Sequence, residues 1–434
     1  MKLLEMKDDE IMVGHKIKIF DIPDELKEKL YNFMGLSDYV QNWAKDVIEE
    51  DIRSQGFDPH SKKHYPKILS QFTLKKIFIE ERKSNPELSF LKKMPIGIAV
   101  RAMMNAIDAF KRFYKFGLNS GYPHYRSKKR DRNRFGVRND NCYIENGYLK
   151  IEGFKKGIKF DIKTHNFDGY GIKVGQKLDV PIYNPVVSFD GDNFYFSFTN
   201  IEKIEETDDF DDMSDAIGID LGIRNTFMIS DGRVFQQPDC SRIEKHISGI
   251  SSEISKRENK RRRKARKERT NLSNIPKSKT QLKLETKRRN LYKKIHHKKT
   301  YFYHNVTTTL LREKHKAIVI EKILVQDVMR KSPHIKKEIS QTYFATIRKM
   351  FEYKAIRYDK LLIEANCNYP STKTCSHCGE LNQKIGSKRT FTCPTCGTVI
   401  DRDLNAALNL KGLYDEYLDG NYSNIDFSWE ESYV

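Results

Sequence analysis

A multidomain α+β protein is the fold class this sequence predicts: an N-terminal lobe of helices and a small β-barrel, then a C-terminal α/β domain with a four-cysteine insert. Three observations predict it. Apolar positions recur at helical spacing from Pro23 to about residue 118. Short alternating runs separated by turn residues fill 121–202. From Ala216 onward, strands, long helices and strands again succeed one another, as in a mixed sheet.

At the start, His15 to Phe20 (HKIKIF) alternates like a strand, and residues 1–20 are assigned to the barrel as its first strand. Pro23 and Asp24 open a helical pattern through Leu30, Phe33 and Met34. Residues 21–120 are read as a helical domain closing on MPIGIAVRAMMNAIDAFKRFYKF, whose methionines and aromatics suit a core better than a binding box. The barrel is placed at 121–205, on the runs YLKIEG, GIKFDIK, QKLDVPIY and VVSFDGDNFYFSF. The acidic stretch IEETDDFDDMSD, within 201–215, marks a domain boundary.

The next domain, 206–370, opens with AIGIDLGIRNTFMISDGRVF, read as three strands joined by tight turns. A basic helical stretch over about 241–313 follows, then a strand at KAIVIE, a helix at 340–358 and a strand at KLLIEA. Residues 371–400 hold the cysteine cluster, and 401–434 return to the α/β domain with a short helix and a tail. No internal repeat is visible.

Composition bounds the partners. Lys and Arg number 79 against 59 Asp and Glu, a formal charge of +20. That exceeds the charge of about 2–8 that solubility asks of a small domain and points to a polyanion. No apolar run reaches the roughly 18 residues a membrane span needs, and no leader precedes the first charges, so a cytoplasmic protein without a membrane partner is expected.

Of seven cysteines, Cys375, Cys378, Cys393 and Cys396 cluster, while Cys142, Cys240 and Cys367 are scattered. A disulfide framework is therefore not expected. Two C-x-x-C knuckles, each followed by glycine (Gly379, Gly397), present four thiolates for one tetrahedral zinc ion. Four sulfurs leave no open position, so the metal is structural and His377 is not a ligand. Lys373, Lys384, Lys388 and Arg389 stand nearby for phosphate contact.

Three segments carry carboxylates at the ends of apolar strands or at a helix start. Asp220 follows Ala216–Ile219, Glu321 follows Ala317–Ile320, and Asp401 and Asp403 begin DRDLNAALNL, read as helical from Asn405. Singly, each has a plain reading as turn residue, strand-end charge or N-cap. Buried strand-end carboxylates are costly unless paired or bound to cations. Three converging at one sheet edge could hold two magnesium ions for phosphodiester hydrolysis.

Between Lys256 and Arg269, ten of fourteen residues are Lys or Arg, including Arg261, Arg262 and Arg263, and 287–299 continues the run. Such a run is either a solvated face or a phosphate contact. Tyr125, Arg126, Lys128, Lys129, Arg130, Arg132 and Arg134 mix cations with aromatics, a pattern suited to nucleic-acid backbone and unstacked bases. Alternatively, the aromatics seat this loop on the barrel.

The segments IGIDLGIRN, IVIEKILV and DRDLNAALNL resemble the three RuvC motifs of the TnpB proteins and the miniature type V CRISPR nucleases. STKTCSHCG and FTCPTCG resemble that family's zinc ribbon, GYPHYRSKKRDRNRF its basic segment, and MPIGIAVRAMMNAIDAFKRFYK the helix before it. The resemblance spans about residues 90 to 410.

It implies a helical recognition (REC) domain and a β-barrel (WED) domain, then an RNase H-like RuvC nuclease with the ribbon inserted as target nucleic-acid-binding domain. It implies an RNA-guided DNA endonuclease with guide RNA and target DNA as partners, which reads a short flanking motif. Two magnesium ions would sit on Asp220, Glu321 and Asp403, with Asp403 taken as the third acid because it precedes Asn-Ala-Ala by two positions. The family's miniature CRISPR members often pair as dimers on one guide. A guide-free nuclease or transposase and a non-catalytic zinc-ribbon binding protein are the rival readings.

Overall fold

The computed structural model describes residues 10–20, 22–115, 120–127, 133–145, 148–154, 157–159, 182–204, 214–223, 225–331, 335–386 and 388–426. They divide into two compact units, Met1–Lys203 and Ile204–Val434.

In the first unit, β1 (Glu10–Ile19) leads into the long helix α1 (Asp24–Ser54). Asp24 and Glu25 sit in its first turn, where carboxylates favour the positive helix end. Leu30, Phe33, Val40, Ala44, Ile48 and Ile52 form one buried stripe facing α3 (Ile96–Tyr114), which is buried along most of its length. Between them lies α2 (Gln71–Ser84), capped by the Ser70 side chain on the Thr73 amide.

The strands that follow are β2 (Asn133–Gly136), β3 (Cys142–Glu145), β4 (Tyr148–Ile151), β5 (Ile158–Lys159), β6 (Tyr183–Phe189) and β7 (Phe194–Lys203). With β1 they form a four-stranded antiparallel sheet in the order β1-β7-β6-β2 and a separate sheet β3-β4-β5. The expected single barrel is thus two sheets among the described residues. The strand expected at QKLDVPIY lies, except for Ile182 and Tyr183, outside them.

The second unit is built on a five-stranded sheet. Its strands are β8 (Ser214–Asp220), β9 (Phe227–Ile229), β10 (Val234–Phe235), β11 (His315–Glu321) and β12 (Leu361–Ala365), in the order β10-β9-β8-β11-β12. β8, β11 and β12 run parallel, while β9 and β10 form the antiparallel edge. Between β10 and β11 stand α4 (Ser241–Lys267) and α5 (Lys279–Arg312), packed against each other. Between β11 and β12 lie α6 (Val325–Lys331), α7 (Lys336–Thr342) and α8 (Phe344–Arg357).

The helix expected at 340–358 is broken: Tyr343 adopts φ 60°, a left-handed conformation that ends α7 and starts α8 anew. Two short strands, β13 (Thr390–Thr392) and β14 (Val399–Asp401), precede α9 (Arg402–Leu418). No helix among the described residues is long and apolar enough to cross a membrane.

Strand alternation decides which residues meet which helix layer. Ile217, Ile219, Ile318, Ile320 and Leu362 face α5 and α8, in a core with Tyr303, Leu310, Ile347 and Phe351. Ala216, Ala317, Val319, Ile363 and Ala365 face the other way, onto Leu410 and Leu413 of α9. A Cβ at Gly218 would collide with the Ala407 carbonyl oxygen, so α9 lies backbone to backbone on β8.

Candidate active site and metal centre

The same alternation continues to the strand ends. Asp220 and Glu321 each follow the last residue of the neighbouring pair Ile219–Ile320, so both carboxylates belong to the α9 face of the sheet. α9 begins at Arg402, three residues before the expected Asn405. The Asp401 side chain accepts the amides of Asp403 and Leu404 at 2.9 and 3.1 Å and so caps the helix. Asp401 is therefore occupied with the backbone, and Asp403 is left in the first turn beside the strand ends.

Asp220 is nearly inaccessible. Burial, then the charges of Glu321 and Asp403, push its carboxyl well above the ordinary range, with Arg402 acting in the opposite sense. Burial raises Glu321 as well. Glu321 also lines a cavity of about 360 Å³ with Leu221, Ile323, Val328 and Phe344. Asp403 meets Arg402 Nη2 at 3.3 Å and accepts a long bond, 3.4 Å, from Asn225 Nδ2. Asn225 is held in turn by Gln236 at 3.3 Å.

Three carboxylates with one nearby guanidinium leave an excess of negative charge. Such a donor set of hard oxygens fits divalent cations of the magnesium class. Among the described residues, only the four cysteines bring three or more ligand atoms within 4.8 Å of one another. The three acids do not form such a group.

Cys375 Sγ and Cys396 Sγ are 3.7 Å apart, and Cys378 Sγ and Cys393 Sγ 3.6 Å. Sulfurs about 2.3 Å from a central zinc have tetrahedral edges of about 3.8 Å, so the four thiols fit zinc, while a disulfide needs about 2.05 Å. Each knuckle closes on a glycine at φ 75°, with Gly379 N donating to Cys375 O and Gly397 N to Cys393 O. The Thr398 hydroxyl, 3.1 Å from Cys396 Sγ, holds that thiol down at about 6, favouring the thiolate. His377 is not among the clustered ligands. Metal analysis of the purified protein is expected to give about one zinc per chain. Folded protein that retains none would show that the ribbon forms without the metal.

The basic candidates divide. Arg261 donates to the Ile275 and Leu272 carbonyls at 2.7 and 2.6 Å and pairs with Glu258 at 2.8 Å. It pins the turn between α4 and α5. Arg262 and Arg263 are exposed on the same helix. Tyr125 and Arg126 are also committed. The Tyr125 hydroxyl donates to Asp46, Arg126 Nε meets Asp38 at 3.2 Å, and Asn42 bonds the Arg126 backbone on both sides. The loop is seated on α1, so its seat is a helix instead of the barrel. Arg134 lies on β2, while Lys128, Lys129, Arg130 and Arg132 lie outside the described residues.

Several site residues carry no signal of their role in the sequence. Asn225 and Arg402 flank the acids within the motifs that contain them. Asn405 and Asn409, spaced four apart on α9, bond the first cysteine knuckle at 2.7–3.0 Å. Glu364, fully buried on the opposite face of β12, takes a two-point bond from Arg348 at 2.5 and 2.7 Å.

Comparison with known proteins agrees with these features. Residues 344–410, from α8 through the ribbon into α9, match the family described as "Cas12f1-like, TNB domain". A Streptomyces pristinaespiralis protein named "Putative RNA-guided DNA endonuclease" is 26% identical over 333 residues, 76% of this chain and 75% of the relative. A TnpB-like protein of Acanthamoeba polyphaga mimivirus is 27% identical over 138 residues, 31% of this chain and 26% of that protein.

Among solved structures, a Cas12f1–sgRNA–target DNA complex aligns over 92% of this chain and 99% of that one, with TM-score 0.30 and 16% identity. The mini-RNA-guided endonuclease CRISPR-Cas phi3 aligns over 94% and 93%, with TM-score 0.44 and 12% identity. In its zinc-ribbon knuckles and in the order of its three acidic motifs, the chain is similar to the TnpB proteins and the miniature type V CRISPR nucleases.

Proposed function

We propose that this protein is an RNA-guided DNA endonuclease that hydrolyses phosphodiesters at Asp220, Glu321 and Asp403. The observation that supports the reading is that Asp220 and Glu321 end the neighbouring strands β8 and β11, while Asp403 stands in the first turn of α9, which packs on β8. Two magnesium ions held there would supply an activated water and stabilise the leaving oxygen. The chain's own part is to keep the acids fixed and largely dehydrated: Asp220 by burial, Asp403 by the helix cap at Asp401 and by Asn225. Guide RNA and target DNA are the partners, with sequence read by base pairing and a short flanking motif read by the protein. A second copy on the same guide is compatible with the family.

The test is to reprogram the guide. Protein with its native RNA should cut wherever the variable end matches beside a fixed short motif, and protein alone should not. Exchanging duplex for heteroduplex is nearly balanced in energy, so contacts to the motif must start the opening. Cuts that stay at one DNA site or structure whatever the RNA encodes would identify a guide-free nuclease.

The exposed arginines of α4 give a separate expectation. Replacing Arg262 and Arg263 together should weaken nucleic-acid binding equally for all sequences and lower the log–log salt slope by about one for each phosphate no longer neutralised. Arg261→Ala should instead destabilise the α4–α5 turn. An unchanged slope in the double variant returns the run to a solvated face.

A further inference from the structure

The zinc ribbon and the acidic site share a helix, and the sharing is specific. β13 and β14 pair so that Thr390 lies opposite Asp401, and the Arg402 amide donates to the Arg389 carbonyl at 2.7 Å. That fixes the ribbon's second half to the first residue of α9. Three residues on, the fully buried Asn405 donates to the Thr374 carbonyl at 2.7 Å and accepts the Ser376 amide at 3.0 Å. One turn later, Asn409 donates to the Ser371 and Thr374 carbonyls, both at 2.7 Å. Thr374 and Ser376 flank Cys375, the first ligand of the knuckle. Asp403 lies between these two anchors.

We propose that Asn405 and Asn409 are positioning residues that transmit zinc occupancy to Asp403. The four thiols set the path of backbone 371–376. The two asparagines, spaced to share one helix face, convert that path into the axial position and rotation of the first turn of α9. Packing alone does not require buried asparagines there, since Ala406, Ala407 and Leu410 already supply buried apolar surface on the same stretch of helix. Coupling of this kind is reciprocal: a ribbon that orders the acids must itself be held more firmly when cations fill them. The inference rests on the acids binding divalent cations.

The experiment measures Mn²⁺ binding by EPR on the full-length protein, a readout independent of cutting. Wild type, Asn405→Ala with Asn409→Ala, and Asp403→Ala are compared with zinc bound and after zinc is removed by a chelator. The asparagine pair should keep about one zinc per chain yet bind Mn²⁺ about tenfold or more weakly. Removing zinc should weaken Mn²⁺ binding by a similar factor in wild type and change the asparagine variant little further. If the double variant does not fold, the wild-type comparison with and without zinc decides alone, read beside circular dichroism to show that α9 persists. Mn²⁺ affinity within about twofold of wild type in the variant, or unaffected by zinc removal, would overturn the proposal. Mn²⁺ binding that Asp403→Ala leaves untouched would instead count against the acidic site itself.

Discussion

Asp220→Ala is expected to abolish magnesium-dependent DNA cleavage, by about a thousandfold or more, while leaving RNA binding near wild type. Glu321→Ala and Asp403→Ala should do the same, because each removes one corner of a single charge cluster. Asp401→Ala should behave differently. Its side chain caps α9 through two amides, so the loss is one of stability, about 1 kcal/mol, with residual cutting. A variant series in which Asp401→Ala is dead and Asp403→Ala cuts normally would show that the third acid had been misassigned.

The buried charge adds a test that needs no substrate. Asp220 is raised above its unfolded value, so the folded state holds its proton more tightly than the unfolded one. Its contribution to metal-free stability is fully present below the ordinary carboxylate range and is lost as pH rises through the elevated folded value. Asp220→Asn should therefore raise the Tm of metal-free protein at neutral pH while eliminating activity. Magnesium should raise the Tm of wild type and do so more as pH increases, since cation and proton compete for the same oxygens. A Tm of Asp220→Asn below that of metal-free wild type at neutral pH would contradict this charge balance.

Gly218→Val is expected to have the largest effect on the fold. A Cβ there would run into the Ala407 carbonyl oxygen and lie 2.5 Å from the Lys411 amide nitrogen, both backbone atoms that no rotamer change can move. α9 would have to lift from the sheet, at a cost of about 3 kcal/mol or more, and would carry Asp403 with it. Gly218→Ala should already be severe. Gly412→Ala on the same helix has open space around its Cβ and should stabilise by about 0.5–1 kcal/mol. Denaturant midpoints of the three variants provide the comparison, and a Gly218→Ala protein as stable as wild type would refute the close approach of α9 to β8.

What could be read from the sequence was whatever is encoded within a few residues. The two knuckles show themselves by Cys spacing and following glycines. The strands before Asp220 and Glu321 show themselves by apolar runs ending in a carboxylate. What could not be read depends on partners elsewhere in the chain. Arg261 looks like its neighbours in a basic run, and only the carbonyls of Leu272 and Ile275 distinguish it. Tyr125 carries the signature of a stacking platform, yet its hydroxyl is taken by Asp46, 79 residues earlier. The break at Tyr343 has no glycine or proline to announce it, because tertiary packing holds a bulky residue in a conformation that its local preference disfavours. Asn405 and Asn409 read as polar positions on an amphipathic helix until the knuckle they bond is in place.

The parallel pairing of β8 with β11 has a kinetic consequence. About 95 residues separate the end of one strand from the start of the next, and closing a flexible loop of that length costs about 4 kcal/mol of chain entropy. Most of the interval is α4 and α5, whose mutual contacts are local: Gln281 bonds Glu258, and Arg261 clasps the turn between them. A helical hairpin formed first shortens the effective loop to about 20 flexible residues and lowers the closure cost by about 1 kcal/mol. Pulse-labelled hydrogen exchange should then find the amides of α4 and α5 protected before those of β11. The basic helices would serve folding as a splint before any nucleic acid arrives.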